Sequence, residues 1–346
     1  MSQTRATLTN ILIIYTGGTI GMVNDPATGA LMPFDFKQIK ENVPELGRLE
    51  YNLSVHSFDP LIDSSNMTPE IWVQLAELIA KEYDRYDGFV ILHGSDTMSF
   101  TASALSFMLE NLGKPVVFTG SQLPIGEIRT DAKENIITAL EIAATRQNGL
   151  AMVPEVCVYF DYQLFRGNRS IKYNSEKFEA FRSPNYPIMA EAGVHLRFYQ
   201  NYILPAPEGS LRLQTRFNPN IGVLKLYPGI SVQAVEAITE SPVEAIILEA
   251  FGSGNAPTAG WFIDRLKKAV DLGKIIVDIT QCKRGSVQLG VYETSKQLQE
   301  IGVLSGFDMT YEATVTKLMY VLGLRLPMAE TRALVERPLR GELTPV

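Results

Sequence analysis

Cysteine is nearly missing from this chain of 346 residues: only Cys157 and Cys282 occur, too few for a disulfide framework or a cysteine-rich zinc site. Histidine is as scarce, with His56, His93 and His195 alone, so neither a histidine-built metal site nor any cofactor is expected. No stretch approaches the roughly 18 apolar residues of a membrane span. Basic charge is also short: 31 Lys and Arg face 38 Asp and Glu, for a formal charge of -7. That deficit argues against nucleic acids and anionic membranes as partners, because both need a surplus of cations on one face. What the chain does have is apolar material. With 46% hydrophobic and 20% charged residues, disorder is excluded and a full core is feasible.

The start superficially suggests a secretory leader, with Arg5 ahead of the apolar run from Ile11 to Tyr15. The run is shorter than the roughly 7–15 residues of a leader core, and no small-residue cleavage site follows. It reads better as a buried strand in a soluble, reduced, cytoplasmic protein.

At roughly 150 residues per domain the length favours two domains. Strand, loop and helix signals alternate along the first half. Ile11 to Tyr15 is an apolar run ending in Gly17-Gly18, as a buried parallel strand should. Thr68-Pro69-Glu70 opens a helix with an N-cap hydroxyl, a proline in the first turn and an acid at the positive end. Strands are expected at 88–92, 115–118 and 156–159, and a helix from Phe100 to Asn111 closing at Gly113. Between 201 and 220 the rhythm breaks at Pro205, Pro207, Gly209 and Pro219, marking a linker. Strands at 221–226, 245–248 and 275–279 then alternate with helices at 232–238 and 261–270, and an apolar helix surrounds 315–322. The expected architecture is two-domain α/β. Residues 1–200 form a doubly wound, mostly parallel sheet with helices on both faces, and residues 221–346 a smaller α/β domain.

Ligands of open α/β sheets bind beyond the carboxyl ends of the strands, and hydroxyl-rich clusters fall there: Thr16-Gly17-Gly18-Thr19, His93-Gly94-Ser95-Asp96-Thr97 and Thr119-Gly120-Ser121. Singly, each has a plain reading, since Gly-Gly is commonly a tight turn and Ser-Asp commonly an N-cap. Jointly they point to one crevice if their strands are neighbours. The first loop is a poor dinucleotide fingerprint, because Met22 to Gly29 reads as loop where that motif needs a helix, and no Walker lysine follows. Lys172, after Arg166-Gly167-Asn168-Arg169-Ser170-Ile171, could return to the crevice and exchange a proton with a hydroxyl beside Asp96. A surface lysine in a basic loop is the alternative, and only the fold can bring Lys172 to Asp96.

Together, Thr16 to Met22 and His93 to Met98 resemble the two signatures of bacterial-type L-asparaginases. The resemblance spans nearly the whole chain, including Asp63-Ser64-Ser65-Asn66-Met67, Arg166 to Lys172 and Arg340 to Pro345, and is closest to the cytoplasmic type I branch. It implies hydrolysis of L-asparagine to L-aspartate and ammonia. Thr19 matches the family's nucleophile, and Ser95, Asp96 and Lys172 match its second catalytic group. Substrate contacts are implied at Asp96 for the ammonium and at Ser64 for the carboxylate, with Asp63 and Ser65 as second choices and Ser95 and Ser121 also lining the site. Asn255 matches a residue that reaches into a partner subunit's site, implying an intimate homodimer and commonly a tetramer of two such dimers.

Three departures from the family pattern stand out. Position 95 is Ser where Thr is usual, which keeps the hydroxyl but loses a methyl that restricts its rotamers. Gly29 to Pro33 lacks the Tyr that many members carry. Glu249 stands where some cytoplasmic members use an arginine to bind an activating second asparagine, so that regulation is expected to be absent or altered. Cys282 keeps a family residue near that site and reads as a buried structural thiol. The rival readings are a glutaminase-asparaginase, because pockets distinguish one methylene by only about 1–3 kcal/mol, a subunit of a tRNA-dependent amidotransferase, and an amino-acid binding protein without turnover. The amidotransferase role predicts an extra N-terminal domain and a basic surface.

Overall fold

The computed structural model describes residues 8–24, 31–33 and 43–345. They fall into two units: the chain through Ser183 with Pro187–Gln214, and Pro184–Tyr186 with Thr215 onward. Among the described residues no helix is long and apolar enough to cross a membrane.

The first unit is built on an eight-stranded sheet. Its strands are β1 (Thr9–Tyr15), β2 (Tyr51–Ser57), β3 (Gly88–Leu92), β4 (Val116–Thr119), β5 (Val156–Phe160), β6 (Gln163–Arg166), β7 (Ala190–Ala192) and β8 (Leu196–Phe198). Their spatial order is β8-β7-β6-β5-β4-β3-β1-β2. The five strands from β5 to β2 are parallel, and β6, β7 and β8 extend them antiparallel. The parallel order 2-1-3-4-5 reverses between β1 and β3, which makes that junction the topological switch point where a crevice opens. Ile11, Val90, Val117 and Cys157 pack on one face against Ile136, Ala139 and Leu140 of α3 (Ala132–Ala144). On the other side α1 (Pro69–Glu82) and α2 (Met98–Met108) are joined by Trp72 Nε1 donating to Thr101 Oγ1 at 3.1 Å. The sheet is therefore doubly wound, as its sequence pattern indicates.

Register decides what the fold presents. Tyr15 pairs with Leu92 and Leu92 with Thr119, so Thr16, His93 and Gly120 leave the sheet side by side.

The helix expected at 100–111 runs from Met98 to Met108. Its apolar pattern continues, but Asn111 adopts a left-handed φ of 57° and Leu109–Glu110 pairs with Arg212–Leu213. Strand pairing with a distant segment of the same chain overrides helical period there. That pairing, and Leu204 N donating to Glu155 Oε1 at 2.5 Å, tie the segment read as a linker to the first unit through Gln214. The Thr68 hydroxyl makes no cap bond to the backbone; it helps instead to hold the Glu70 carboxyl below its usual range.

In the second unit β9 (Ile221–Lys225), β10 (Ala245–Ala250), β11 (Ile275–Thr280) and β12 (Leu304–Ser305) form a parallel sheet in that order. The connecting helices are α4 (Val232–Thr239), α5 (Gly260–Asp271) and α6 (Glu293–Glu300), followed by α7 (Tyr311–Gly323) and α8 (Met328–Glu336). Hydroxyl caps start two of them: Ser231 accepts from Ala234 N and Thr310 from Ala313 N. The Arg340–Pro345 motif closes this unit. Glu342 is fully buried and pairs with Lys317 Nζ at 2.6 Å, and it also accepts from Leu339 N and Arg340 N.

Candidate active site

Backbone meets backbone where the strands end. Gly17 and Gly18 sit at φ of 135° and 94°, a region that side chains disfavour. A Cβ on Gly17 would collide with the Ile62 carbonyl, and one on Gly18 would lie 2.5 Å from Gly94 Cα. Thr16 N donates to Leu92 O at 3.0 Å, and Ile62 N to Thr16 O at 2.8 Å. The loops 16–19, 62–66 and 93–97 are thus seated on each other. The third exit joins them, because Gly120 Cα rests against the His93 carbonyl.

Thr19 follows these glycines as the first residue of a short 3-10 turn, Thr19–Gly21, and is half-buried. Met22–Asn24 then pairs antiparallel with Leu31–Pro33, so among the described residues no helix N-terminus faces the glycines and the dinucleotide reading fails. Positions 25–30, including Gly29 and Ala30 of the Tyr-less stretch, lie outside the described residues, as do residues 1–7.

The fold brings Lys172 to the β3 exit. Arg166 is buried and pairs with Glu155 at 2.6 Å, and its guanidinium also donates to Tyr202 O at 3.0 Å. A 3-10 turn at Gly167–Arg169 reverses the chain, and Ile171–Lys172 pairs with Phe181–Arg182. From there Lys172 Nζ donates to Ser95 Oγ at 2.8 Å and to Asp96 Oδ1 at 2.5 Å. The two partners differ in exposure: the Lys172 side chain is 19% exposed and that of Asp96 is 64% exposed.

Ser64 is buried and its hydroxyl lies against Gly94 Cα, while Thr97 Oγ1 donates to Ser64 O at 2.7 Å. Asp63 and Ser65 are exposed, and Asp63 Oδ1 accepts from Ser65 N and Ser65 Oγ. Those bonds, the backbone one first, hold the Asp63 carboxyl below the usual range, so it serves its own turn. Ser121 is buried and donates to Leu123 O at 2.5 Å, which leaves its oxygen as an acceptor. Asp131 holds this loop through Gln122 N and Leu123 N, its carboxyl raised by burial against those bonds. Asn135 adds a bond to Gly120 O at 2.9 Å. The sequence reading passes over these two supports because both look like ordinary polar positions of a helix. His93 is buried behind Ser95, and desolvation pushes its imidazole down to about 4.

Asn255 belongs to the second unit, in a tight turn where Phe251 and Asn255 exchange backbone bonds. Also there, Glu249 pairs with Lys225 at 2.9 Å. Cys282 is exposed, so the expectation of a buried structural thiol is wrong. It lies beyond β11, where Cys282 N donates to Thr280 Oγ1. No group of three or more His, Cys, Asp or Glu able to hold a metal occurs among the described residues.

A hydroxyl on a glycine-seated turn and a hydroxyl–lysine–carboxylate chain at the neighbouring strand exit are the kind of groups that a hydrolase assembles. Residues 10–204 match the family model Asparaginase, N-terminal, and residues 220–335 match the Glutaminase/Asparaginase C-terminal domain. The chain is 46% identical over 342 residues to L-asparaginase 1 of Escherichia coli strain K12, covering 97% of this chain and 98% of that protein. Among solved structures, L-asparaginase I of Vibrio cholerae superposes with a TM-score of 0.89 at 43% identity, covering 97% of this chain and 99% of that one. The thermostable L-asparaginase of Thermococcus kodakarensis gives 0.89 at 33% identity, covering 98% and 100%. The chain belongs to the asparaginase family and is an amidohydrolase, as its two signatures indicate.

Proposed function

We propose that the enzyme hydrolyses L-asparagine to L-aspartate and ammonia through an acyl-enzyme on Thr19. The observation that carries this reading is Lys172 Nζ held between Ser95 Oγ and Asp96 Oδ1 beside the loop that bears Thr19. In the first half-reaction a bond forms from Thr19 Oγ to the amide carbon and the C–N bond breaks. The hydroxyl proton ends on the leaving nitrogen, which departs as ammonia. In the second, water attacks the ester carbon on the Ser95 side, the bond from that carbon to Thr19 Oγ breaks, and a proton from the water goes to Thr19 Oγ. The Ser95 oxygen accepts from Lys172, so the serine proton is free to point at the reacting group, and Lys172 with Asp96 completes a proton route. Backbone N–H groups near Gly18 and at Ser95 stabilise the oxyanion.

Recognition uses the two charges of an amino acid. Asp96 holds the ammonium and Ser64 with nearby amides the carboxylate, while the Ser121 oxygen is a further acceptor. Asp63 and Ser65 bound the carboxylate loop. Asn255 completes a partner's site in an intimate dimer, two of which form a tetramer. Two unpaired cysteines, one exposed, suit a reducing compartment and support a cytoplasmic location.

Ammonia release from L-asparagine and L-glutamine by wild type and Thr19→Ala tests the proposal. Asparagine turnover that vanishes in the variant supports it, and comparable glutamine turnover makes the enzyme a glutaminase-asparaginase. Binding of asparagine with no turnover makes it a binding protein.

A further inference from the structure

The first signature contributes its nucleophile and the second its Ser and Asp, yet His93 has no part in that chemistry. It is 1% exposed, and its ring stands edge-on to Phe118 at 5.8 Å. Nδ1 lies 2.6 Å from Gly94 O. A carbonyl only accepts, so Nδ1 carries the proton. The buried ring is neutral near pH 7, which leaves Nε2 as a bare acceptor, and Nε2 has no hydrogen-bond partner among the described residues. Leucine or phenylalanine could pack on Phe118 without stranding a nitrogen, so packing does not explain an imidazole here. The Nδ1–H bond does.

That bond fixes something otherwise loose. The Gly94–Ser95 peptide is one planar trans unit whose C=O and N–H point in opposite directions. Sterics hold it weakly, because Gly94 has no side chain to limit its torsions, and the Ser64 hydroxyl occupies the space where one would go. Ser95 N–H makes no bond to an acceptor among the described residues, and the same residue presents Oγ to Lys172.

We propose that His93 is a positioning residue: its Nδ1–H grips the Gly94 carbonyl and so aims the Ser95 N–H at the oxygen that becomes negative when the amide is attacked. Donation into the carbonyl also polarises the N–H at the other end of the peptide. The inference rests on the proposed acyl transfer and deepens it.

Three variants test it by steady-state ammonia release from L-asparagine. Losing an oxyanion donor outright costs about 10²–10³ in kcat; a donor left unaimed should cost about 10- to 100-fold. His93→Leu should show that loss with KM within about threefold of wild type. His93→Asn places Nδ2–H where Nδ1–H stood and should recover to within about fivefold of wild type, whereas His93→Gln reaches too far and should resemble Leu. Equal kcat in the Asn and Gln variants overturns the proposal, as does a His93→Leu kcat within twofold of wild type. If the Leu variant fails to fold, the Asn–Gln pair still decides. Independently, the ¹⁵N spectrum of wild-type histidines should show the Nδ1–H tautomer for His93, and an Nε2–H tautomer overturns the proposal without any variant. A wild type inactive on asparagine would instead sink the underlying reading, so the two failures are distinguishable.

Discussion

Lys172 and Ser95, 77 positions apart, meet at 2.8 Å between Nζ and Oγ, and that bond takes up one lone pair of the serine oxygen. Ammonium donors cannot accept, so the serine oxygen is engaged and its proton is left over. Removing either end should cost rate before affinity. For Lys172→Met we expect kcat on asparagine to fall by about 10²–10⁴, the usual span for a lost proton-transfer group. Ser95→Ala should fall similarly, while Ser95→Thr should stay within a few-fold of wild type because the hydroxyl survives. Steady-state kinetics on the three variants checks this; a Ser95→Ala enzyme with full kcat would remove the hydroxyl from the mechanism.

Acidity should act on the two units in opposite senses. The His93 imidazole sits near 4 when folded against 6.5 in an unfolded chain. As pH falls from 6.5 toward 4, the unfolded chain takes up a proton that the folded one refuses, so the first unit loses stability. Burial raises the Asp278 carboxyl from 3.8 to about 8, and neither of its oxygens has a hydrogen-bond partner among the described residues. As pH rises from 4 toward 8, the unfolded chain releases a proton that the folded one keeps, so the second unit loses stability. Each slope is about 1.4 kcal/mol per pH unit. Calorimetric scans between pH 5 and 8 should show Asp278→Asn most stabilising at the alkaline end. A variant with unchanged alkaline stability would mean that Asp278 ionises freely in the folded chain.

The Lys317–Glu342 pair is buried at 1% and 0% side-chain exposure, where breaking one partner strands a charge. Glu342→Gln should destabilise the second unit by about 3–5 kcal/mol, and the double change Lys317→Met with Glu342→Leu should recover most of it. Urea unfolding measures both. A cost under about 1 kcal/mol for Glu342→Gln would show the ammonium to be solvated.

Glu249, paired with Lys225, stands where the family resemblance puts the cation that an activating amino acid would need for its own carboxylate. Asparagine saturation should therefore be hyperbolic. Sigmoidal curves in initial-rate measurements would refute this account of Glu249.

Sequence pattern reads the middle of each sheet well and its margins poorly. Gly88–Leu92 is legible to the residue because a strand covered on both faces is one unbroken apolar run. Tyr51–Ser57 escapes because Asn52, Ser54 and His56 interleave the residues that pack on the core, and Ala190–Ala192 and Leu196–Phe198 are too short to show a period. The candidate site is legible as three hydroxyl clusters, but their meeting depends on the register that levels Tyr15, Leu92 and Thr119. No spacing encodes the bond from Lys172 to Asp96. The turn at Gly167–Arg169 and the pairing of Ile171–Lys172 with Phe181–Arg182 supply it.

The tie between Lys317 and Glu342 also has a consequence in time. Ribosomes deliver the first unit's residues well before Glu342, and domains generally fold as they emerge. The second unit cannot neutralise the lysine in its α7 helix until synthesis has passed position 342. A message truncated only a few codons ahead of that point yields a chain with its catalytic loops intact and a stranded charge in the neighbouring unit. Quality control would meet such a product as a misfolded protein rather than as a slightly shortened enzyme.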